Sequence, residues 1–206
     1  MRSTTKPGDQ RSFTEAARRE QIVSGAIEVL ATSGYGSSSL AAIAGHLGIS
    51  KGIISYHFAG KAELLQEVVQ TVLRRAEEAM TPAVQGAPSY TEALRRYITA
   101  NLAFISAARP AVLAMTEVLT NDRAMRGAFG RSQQEAVAAL EALIQGGVDA
   151  GEFDRVPARA AAVALRASID AATGLLRADL EFDVEAYGTD LIALYGRAIA
   201  KPGSAR

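Results

Sequence analysis

Hydrophobic residues recur along most of this chain at helical spacing. The clearest example lies in residues 39–65, where the apolar positions of one short segment repeat at i, i+3, i+4 and i+7. These positions are Leu40, Ile43, Ala44 and Leu47. Similar stripes in later segments predict about nine helices and no convincing strand, so we expect an all-α fold.

A tight turn follows the first of these short helices. Gly48 stands just past the last apolar position, where it can take the left-handed conformation without steric cost and reverse the chain. Ser50 can cap the next helix, and Ile49 and Ile54 can form a hydrophobic staple around that cap. Two short helices joined in this way, with another helix beginning at Lys61, are the layout of a helix-turn-helix DNA reader.

The outward side chains of the second short helix are typical of DNA contacts. Lysine donates to guanine, serine pairs with several base edges, isoleucine packs on a thymine methyl, and glycine allows close backbone approach. The residues are Lys51, Gly52, Ile53 and Ser55, followed by Tyr56, His57 and Lys61 as donors to phosphate oxygens. The alternative is an ordinary helical hairpin whose glycine and serine only cap.

About twenty positions between residues 15 and 65 form one sequence pattern, in which particular residue types occur in a fixed order. They include Ile22, Ala26, Leu30, Gly34, Tyr35, Leu40, Ile43, Ala44, Gly48, Ile49, Ser50, Tyr56, His57, Phe58, Lys61 and Leu64. This order resembles the DNA-binding domain of the TetR family of transcriptional regulators, over the first third of the chain only. The resemblance implies that Ser39, Leu40, Ala41 and Ser50 also belong to the DNA-binding surface.

Four positions depart from the family pattern. Ser55 stands where an aromatic residue is common, and Ile53 where threonine or alanine is frequent. Gly45 replaces a usual polar residue, and Gly60 replaces a serine that often caps the fourth helix. We expect these differences to alter the choice of operator rather than the function.

Length and charge indicate a DNA-reading module joined to one larger domain. We expect a flexible arm over 1–12, a three-helix helix-turn-helix DNA-binding domain over 13–60, and a helical effector-binding and dimerisation domain over 61–206. Residues 1–61 hold seven Lys or Arg and four Asp or Glu, a balance of +3, while the rest balances at −3. This asymmetry favours steering of the first module toward phosphate. Arg2, Lys6 and Arg11 either contact DNA or belong to a solvated arm.

Several classes of function find no support in the sequence. Cysteine is absent, and His46 and His57 both lie in the DNA-reading module, which leaves the larger domain without common zinc ligands. No nucleophile elbow, phosphate loop or HExxH motif occurs, so we expect neither an enzyme nor a cofactor. The polar first residues are no signal peptide, and no apolar run approaches the roughly 20 residues of a membrane span. We expect a cytoplasmic protein with no membrane partner.

Capping and helix-breaking residues suggest the helix boundaries. Ser12 and Glu15 form a capping box that would open the first helix, and Ser33 and Gly34 would close it. The fourth helix would run from Lys61 to about Met80 and link the two domains. Residues 81–89 form the clearest linker, and later breaks fall at 108–110, 120–122, 149–157 and 181–183.

Polar residues interrupt apolar helix faces in the larger domain. Asn101 lies on the stripe of the fifth helix, Gln133 lies between apolar positions, and Asp170 lies on a helix of small residues. A buried polar group needs a partner within the core or on a ligand. Because the resemblance implies an effector cavity, the candidate lining residues are Tyr97, Asn101, Phe104, Met115, Glu117, Phe129, Gln133 and Asp170, with Met125 beside them. For each one, core packing or solvent exposure is the alternative.

Two apolar stripes near the C-terminus exceed what one subunit can cover. One includes Ala164, Ala167 and Ala171, and the other consists of Tyr187, Leu191, Leu194, Tyr195 and Ala198. As in the family that this chain resembles, two such helices from each of two subunits would form a four-helix interface. The alternative is that both stripes pack inside one subunit.

Together with these observations, the resemblance implies a homodimeric repressor that a small apolar effector releases from a palindromic double-stranded operator. An activator, or a regulator without a ligand, is the alternative within this class. From another class, an all-helical ligand-binding or enzymatic protein would not bind DNA. Salt-dependent binding to DNA distinguishes the two classes.

Overall fold

The computed structural model describes residues 7–179 and 181–201, with side chains from Thr14 onward. Those residues form nine helices and no β-strand, which confirms the all-α prediction. The helices are α1 (Pro7–Ser37), α2 (Leu40–Leu47), α3 (Lys51–His57), α4 (Lys61–Val84), α5 (Tyr90–Ala107), α6 (Arg109–Asn121), α7 (Arg123–Asp149), α8 (Ala158–Ala178) and α9 (Val184–Ile199). Phe153 and Ala200 form an isolated antiparallel bridge.

α1 is longer than its sequence signals suggest. It begins at Pro7, so the capping box predicted at Ser12 is wrong, and residues 7–12 are helical. Proline fits a first helical turn because its φ is already set and its missing N–H has no partner there. Near the other end, Gly34 leaves helical geometry with φ 74° and ψ 174°. Arg2, Lys6 and the side chain of Arg11 lie outside the described residues.

The predicted turn between α2 and α3 is confirmed. Ser39 caps α2 by accepting the Ala42 N–H at 3.1 Å, and Ser50 caps α3 by accepting the Ile53 N–H at 3.4 Å. Gly48 is left-handed, with φ 64° and ψ 29°, and its N–H turns back to the last carbonyls of α2. These local bonds fix the direction of α3 relative to α2.

α4 continues past the predicted linker. Pro82 lies inside the helix, which ends at Val84, so the connection to α5 is only residues 85–89. A proline near a helix end removes one hydrogen bond but leaves only a short segment beyond it to disturb. α4 therefore extends as one element from the turn after α3 deep into the rest of the molecule.

Buried side chains form two clusters that meet along α4 and α6. The first includes Ile22, Leu30, Ile43, Ile54, Phe58, Leu64 and Val68, together with Ala114 and Val118 from α6. The second includes Ile98, Leu102, Leu140, Ile144, Leu165 and Ile169 from α5, α7 and α8. Full burial of each large aliphatic side chain contributes about 1.5–3 kcal/mol. Because α6 packs into the first cluster, a shift of α6 reaches α1 through packed side chains.

No single helix among the described residues is long and apolar enough to cross a membrane. α5 and α6 meet that length and composition test only as a pair, which is bent by 90°.

Candidate functional site

α3 presents an exposed face supported by a buried one. Ile54 and Phe58, at the inner side, are completely or almost completely buried. The exposed residues are Lys51, Gly52, Ile53, Ser55 and Tyr56. Tyr56 is 73% exposed and Ile53 37%, which is high for apolar side chains on a helix of two turns. The face therefore combines apolar contact area with hydrogen-bonding groups, as a base-reading surface requires.

Arg19 of α1 fixes the C-terminal end of α3. Its guanidinium donates to the His57 carbonyl at 2.6 Å and lies 4.1 Å from the centre of the Phe58 ring. It also donates to Glu63 at 3.3 Å and Glu67 at 3.0 Å, both on α4. Burial opposes the charge, but these carboxylates outweigh it and raise the pKa of Arg19. Sequence reasoning missed Arg19 because its partners are 38 to 48 residues away.

Lys61 is engaged within the protein rather than free for phosphate. Its ammonium donates to the Tyr35 carbonyl at 3.0 Å and lies 4.3 Å from the centre of that ring. Burial lowers its pKa. The Tyr35 carbonyl, near the kinked end of α1, supplies the acceptor, so Lys61 connects α1 to the start of α4. His57 is half-buried and makes an edge contact with Tyr56, with 5.0 Å between ring centres.

The start of α2 contributes a second exposed strip. Ser39 and Ala41 are exposed. Leu40 is half-buried and packs against the first cluster, so most of its side chain belongs to the fold.

Glu117 of α6 joins three helices. One carboxylate oxygen accepts the Tyr35 N–H of α1 at 3.1 Å, and the other pairs with Arg177 near the end of α8 at 2.5 Å. Glu117 was predicted as a ligand-binding residue, but the structure places it outside the lining of the cavity described next. The Tyr35 N–H, next to the Gly34 kink, bonds one oxygen of the Glu117 carboxylate, and the Arg177 guanidinium bonds the other. Met125 likewise packs against the first cluster.

A cavity of about 570 Å³ opens between α4, α5, α6, α7 and α8. Seven of the predicted residues line it: Tyr97, Asn101, Phe104, Met115, Phe129, Gln133 and Asp170. Further lining comes from Val72, Leu73, Met80, Leu140 and Arg166, which sequence reasoning did not select. The volume and the mostly apolar lining with a few polar groups are typical of small-molecule sites.

Polar residues gather at one side of this cavity around Arg166 of α8. Arg166 donates to the Tyr97 hydroxyl at 3.2 Å and to the Asn101 carbonyl oxygen at 2.9 Å. It also pairs with Asp170, whose second oxygen accepts from Gln133 at 3.0 Å. We call these five residues the Arg166 cluster. Its buried polar atoms are all hydrogen-bonded, so the cluster is complete without a ligand.

Within the Arg166 cluster, the negative charge of Asp170 balances the positive charge of Arg166. Burial disfavours the charged guanidinium, but the hydrogen bond and the charge of Asp170 raise the pKa of Arg166 above its ordinary value. Only 15% of the Arg166 side chain is exposed. One sequence signal could have identified Arg166: it stands four residues before Asp170 in a helix of small residues, and that spacing places both side chains on one face of the helix.

The two C-terminal stripes differ in exposure. Leu191 is buried, and the Tyr187 hydroxyl donates to the Ser168 carbonyl at 2.7 Å, so the predicted stripe of α9 packs mainly within the subunit. Tyr195 also contacts Ser168, at 3.1 Å. The exposed apolar surface consists of Val163, Ala164, Ala167, Ala171 and Leu175 on α8 and Leu194 on α9. The predicted stripe of α9 is therefore divided, with Leu194 and Ala198 exposed and Leu191 buried.

The fold and the exposed face of α3 define a helix-turn-helix protein with a larger, cavity-containing helical region. Residues 22–68 match the sequence profile described as bacterial regulatory proteins, tetR family. Residues 22–68 are thus similar to the N-terminal, DNA-binding part of that family.

Relatives extend the comparison. The chain is 32% identical over 72 residues to the HTH-type transcriptional regulator BetI of Vibrio atlanticus, a match covering 35% of this chain and 36% of that protein. The chain thus matches about a third of that relative's length. A transcriptional regulator from Saccharomonospora viridis, solved in complex with choline, has a TM-score of 0.81 at 21% identity, covering 91% of this chain and 100% of that one. The fatty acid degradation regulator FadR from Bacillus halodurans has a TM-score of 0.78 at 19% identity and 99% coverage of both chains. These similarities extend the shared fold beyond the N-terminal helices.

Proposed function

We propose that this chain is a DNA-binding transcriptional regulator, a repressor that a small molecule releases from its operator. The observation that carries the proposal is the exposed face of α3 on a completely buried support. Lys51 and Ile53 are exposed, and Tyr56 is 73% exposed although it contacts His57 and donates to Glu15 at 3.4 Å. This exposed apolar and hydrogen-bonding surface fits a DNA groove, where base edges and the thymine methyl offer both kinds of contact.

Within this proposal, α3 enters the major groove. Lys51 and Ser55 face base edges, Gly52 allows close approach, and Ile53 packs against a thymine methyl. Ser39, Ala41 and Ser50 lie at helix starts, and Tyr56 and His57 follow on α3, where they contact phosphates. Lys61 contributes mainly by holding α4 against α1, and its contact with phosphate is secondary.

Residues 13–60 form the DNA-binding domain in this proposal, and residues 61–206 bind the effector and form the dimer. The exposed small and apolar residues of α8 support a homodimer, because they allow close approach of a second copy. A two-fold axis through that interface would present two α3 helices to half-sites about 34 Å apart in a palindromic operator.

The effector would act through the walls of the cavity. α4 and α6 both line it, and both are bonded to the end of α1 through Lys61 and Glu117. A ligand that fits the cavity better with these helices displaced would favour a dimer whose α3 helices no longer match their half-sites. The choline complex of the Saccharomonospora viridis protein supports a small-molecule effector for this fold.

Binding to the intergenic DNA upstream of the chain's own gene tests the proposal. We expect a labelled fragment to bind with an affinity that falls steeply as salt rises, and more tightly than a random fragment of equal length. A Lys51→Ala, Ser55→Ala variant should lose that preference, while Glu78→Gln, on exposed α4 surface, should keep it. An absence of DNA binding at low salt would contradict the proposal and favour an all-helical protein of another class.

A further inference from the structure

We infer that Arg19 is a positioning residue for base reading, which holds α3 at the angle to α4 that the operator requires. The inference rests on the proposed function. It assigns a role in sequence discrimination to a residue of α1 that lies outside the exposed face of α3, and it follows from what holds each end of α3.

α3 has little apolar anchoring of its own. It has seven residues, of which Ile54 is the buried one, and it packs chiefly against α2. Phe58, directly after the helix, is the next buried side chain. The turn at Gly48 and the cap at Ser50 hold the N-terminal end of α3. The direction of α3 relative to α1 and α4 is therefore set at its C-terminal end.

Arg19 joins α1, α3 and α4 at that end. Its guanidinium donates to the carbonyl of His57, the last residue of α3, and packs on the ring of Phe58. The same guanidinium bonds Glu63 and Glu67, which stand four residues apart on one face of α4. Two carboxylates one turn apart fix the position of the guanidinium along α4. The His57 carbonyl then fixes the end of α3 to both neighbouring helices.

The connection between α3 and α4 depends on the same contacts. Gly60 precedes α4 and supplies no side-chain cap. Glu63 instead accepts the Ala59 N–H at 2.7 Å with one carboxylate oxygen, while Arg19 bonds the other oxygen at 3.3 Å. Arg19 therefore orients the carboxylate that holds this connection. Loss of the guanidinium would release the end of α3 and loosen the segment that joins it to α4.

A small change in the angle of α3 is enough to disturb base reading. A helix of seven residues is about 10 Å long, so a tilt of about 10° moves its far end, where Lys51 lies, by about 2 Å. Hydrogen bonds to base edges do not survive such a displacement. Contacts with phosphates depend mainly on charge and adapt more easily. Loss of Arg19 should thus weaken discrimination between sequences more than binding to DNA in general.

Arg19→Met tests this in the full-length protein, because methionine keeps an apolar contact with the Phe58 ring and loses every donor. The matched control is Arg18→Met, which removes the same charge at the neighbouring position, where the guanidinium donates to Gln21 of the same helix at 2.6 Å. Fluorescence anisotropy measures the affinity of each protein for the upstream fragment and for random DNA of equal length. We expect the ratio of the two affinities to be at least about tenfold lower in Arg19→Met than in Arg18→Met, as for the loss of one base contact. The affinity for random DNA should be equal in the two variants.

The partner on α4 supplies an independent variant. Glu67→Met should also lower the ratio, and its combination with Arg19→Met should lower it no further than Arg19→Met alone, because the two side chains act through one contact. Arg19→Lys should recover part of the ratio, since lysine keeps the charge but cannot bond the carbonyl and both carboxylates at once. Melting curves show whether each variant is folded during the titrations. If Arg19→Met is not folded, Glu67→Met and Arg19→Lys are compared with Arg18→Met instead.

Two results would overturn the inference: an unchanged ratio in the folded variants of this contact, or a loss of affinity that is equal for both fragments. Either one would mean that Arg19 serves only the stability of the fold. Failure of the unmodified protein to prefer the upstream fragment would instead contradict the proposed function, before any variant is compared.

Discussion

Lys51 and Lys61 lie ten residues apart, yet the fold places them differently. Lys51 is exposed on α3, whereas the ammonium of Lys61 is bonded to the Tyr35 carbonyl. A lysine that is free of internal bonds can read a base without first breaking a contact of the fold. The distinction leads to different expectations for the two side chains.

Replacement of Lys51 by alanine should cost about 1–3 kcal/mol at the cognate operator and relax the sequence preference at one position. Fluorescence anisotropy with the operator, its single-base variants and random DNA measures both effects. Lys61→Ala should weaken binding to every sequence alike, because it loosens the joint between α1 and α4. An equal loss of specific and random binding in Lys51→Ala would show that Lys51 contacts only phosphate.

The Arg166 cluster makes a second prediction at the scale of residues. Asp170→Ala leaves the largely buried guanidinium without its partner and should lower the free energy of unfolding by about 1–3 kcal/mol. Arg166→Met should also destabilise, since Tyr97 and Asn101 lose a donor. The double variant should cost less than the two single changes added together. Urea unfolding of the four proteins measures this, and strict additivity would mean that the pair contributes no coupling.

The candidate residues of the cavity show what sequence reasoning could and could not predict. Asn101, Gln133 and Asp170 were predicted because each interrupts an apolar stripe, and all three line the cavity. Glu117 was predicted only as a candidate lining residue of the cavity that the resemblance implies, and its partners are a backbone N–H of α1 and a guanidinium of α8. A stripe identifies which side of a helix is buried, but not which helix packs on it.

At the scale of elements, local signals predicted the turn of the DNA-reading module and failed at the ends of long helices. The turn is set by neighbours in sequence, namely Gly48 and the two serine caps. α1 extends to Pro7 and α4 past Pro82 because proline is tolerated in a first turn and near a helix end. The stripe of α9 is divided, since contacts with α5 and α8 cover part of it while Leu194 and Ala198 stay exposed.

Glu117 connects α6 to α1. We expect the loss of this contact to weaken the coupling between the cavity and α1. Glu117→Ala removes an acceptor from the Tyr35 N–H and should lower stability by about 1–3 kcal/mol. Affinity for an effector should remain unchanged, while the effector's ability to weaken DNA binding should decrease. Titrations of DNA affinity with and without effector measure this coupling. Undiminished coupling in the variant would mean that α4 or the packed side chains of α6, and not Glu117, connect the cavity to α1.

The start of α5 should respond to pH. Glu152 accepts the N–H groups of Thr91 at 2.9 Å and Tyr90 at 3.1 Å, and these backbone hydrogen bonds lower its pKa from an ordinary value near 4.5. Because the folded-state pKa is lowered, the stabilisation is present above about pH 4.5 and decreases as the pH falls toward the folded-state pKa.

Glu152→Gln should therefore melt below the unmodified protein at pH 7, and the difference should shrink at acidic pH. Glu181→Gln, an exposed change outside a helix, serves as the control. A pH-independent difference would indicate that the shape of the side chain, and not its charge, holds α5.

At the scale of the whole molecule, the exposed apolar residues of α8 and α9 determine the expected assembly. Leu194 is 54% exposed and Val163 48%, and three exposed alanines lie on the same helix as Val163. We expect a dimer at micromolar concentration without DNA. Leu194→Glu combined with Val163→Glu should give monomers, because it places four carboxylates in a two-fold interface, which like charges and desolvation both oppose.

Sedimentation velocity distinguishes the two states, and Ala103→Glu, exposed on α5, is the matched control. The monomer should keep the helix content of the unmodified protein, since these residues are exposed within the subunit. It should lose affinity for the operator far more than for random DNA, because a single α3 reads only one half-site. A dimer that persists in the double variant would place the interface elsewhere, and an unmodified protein that sediments as a monomer would remove the basis for reading a palindromic operator.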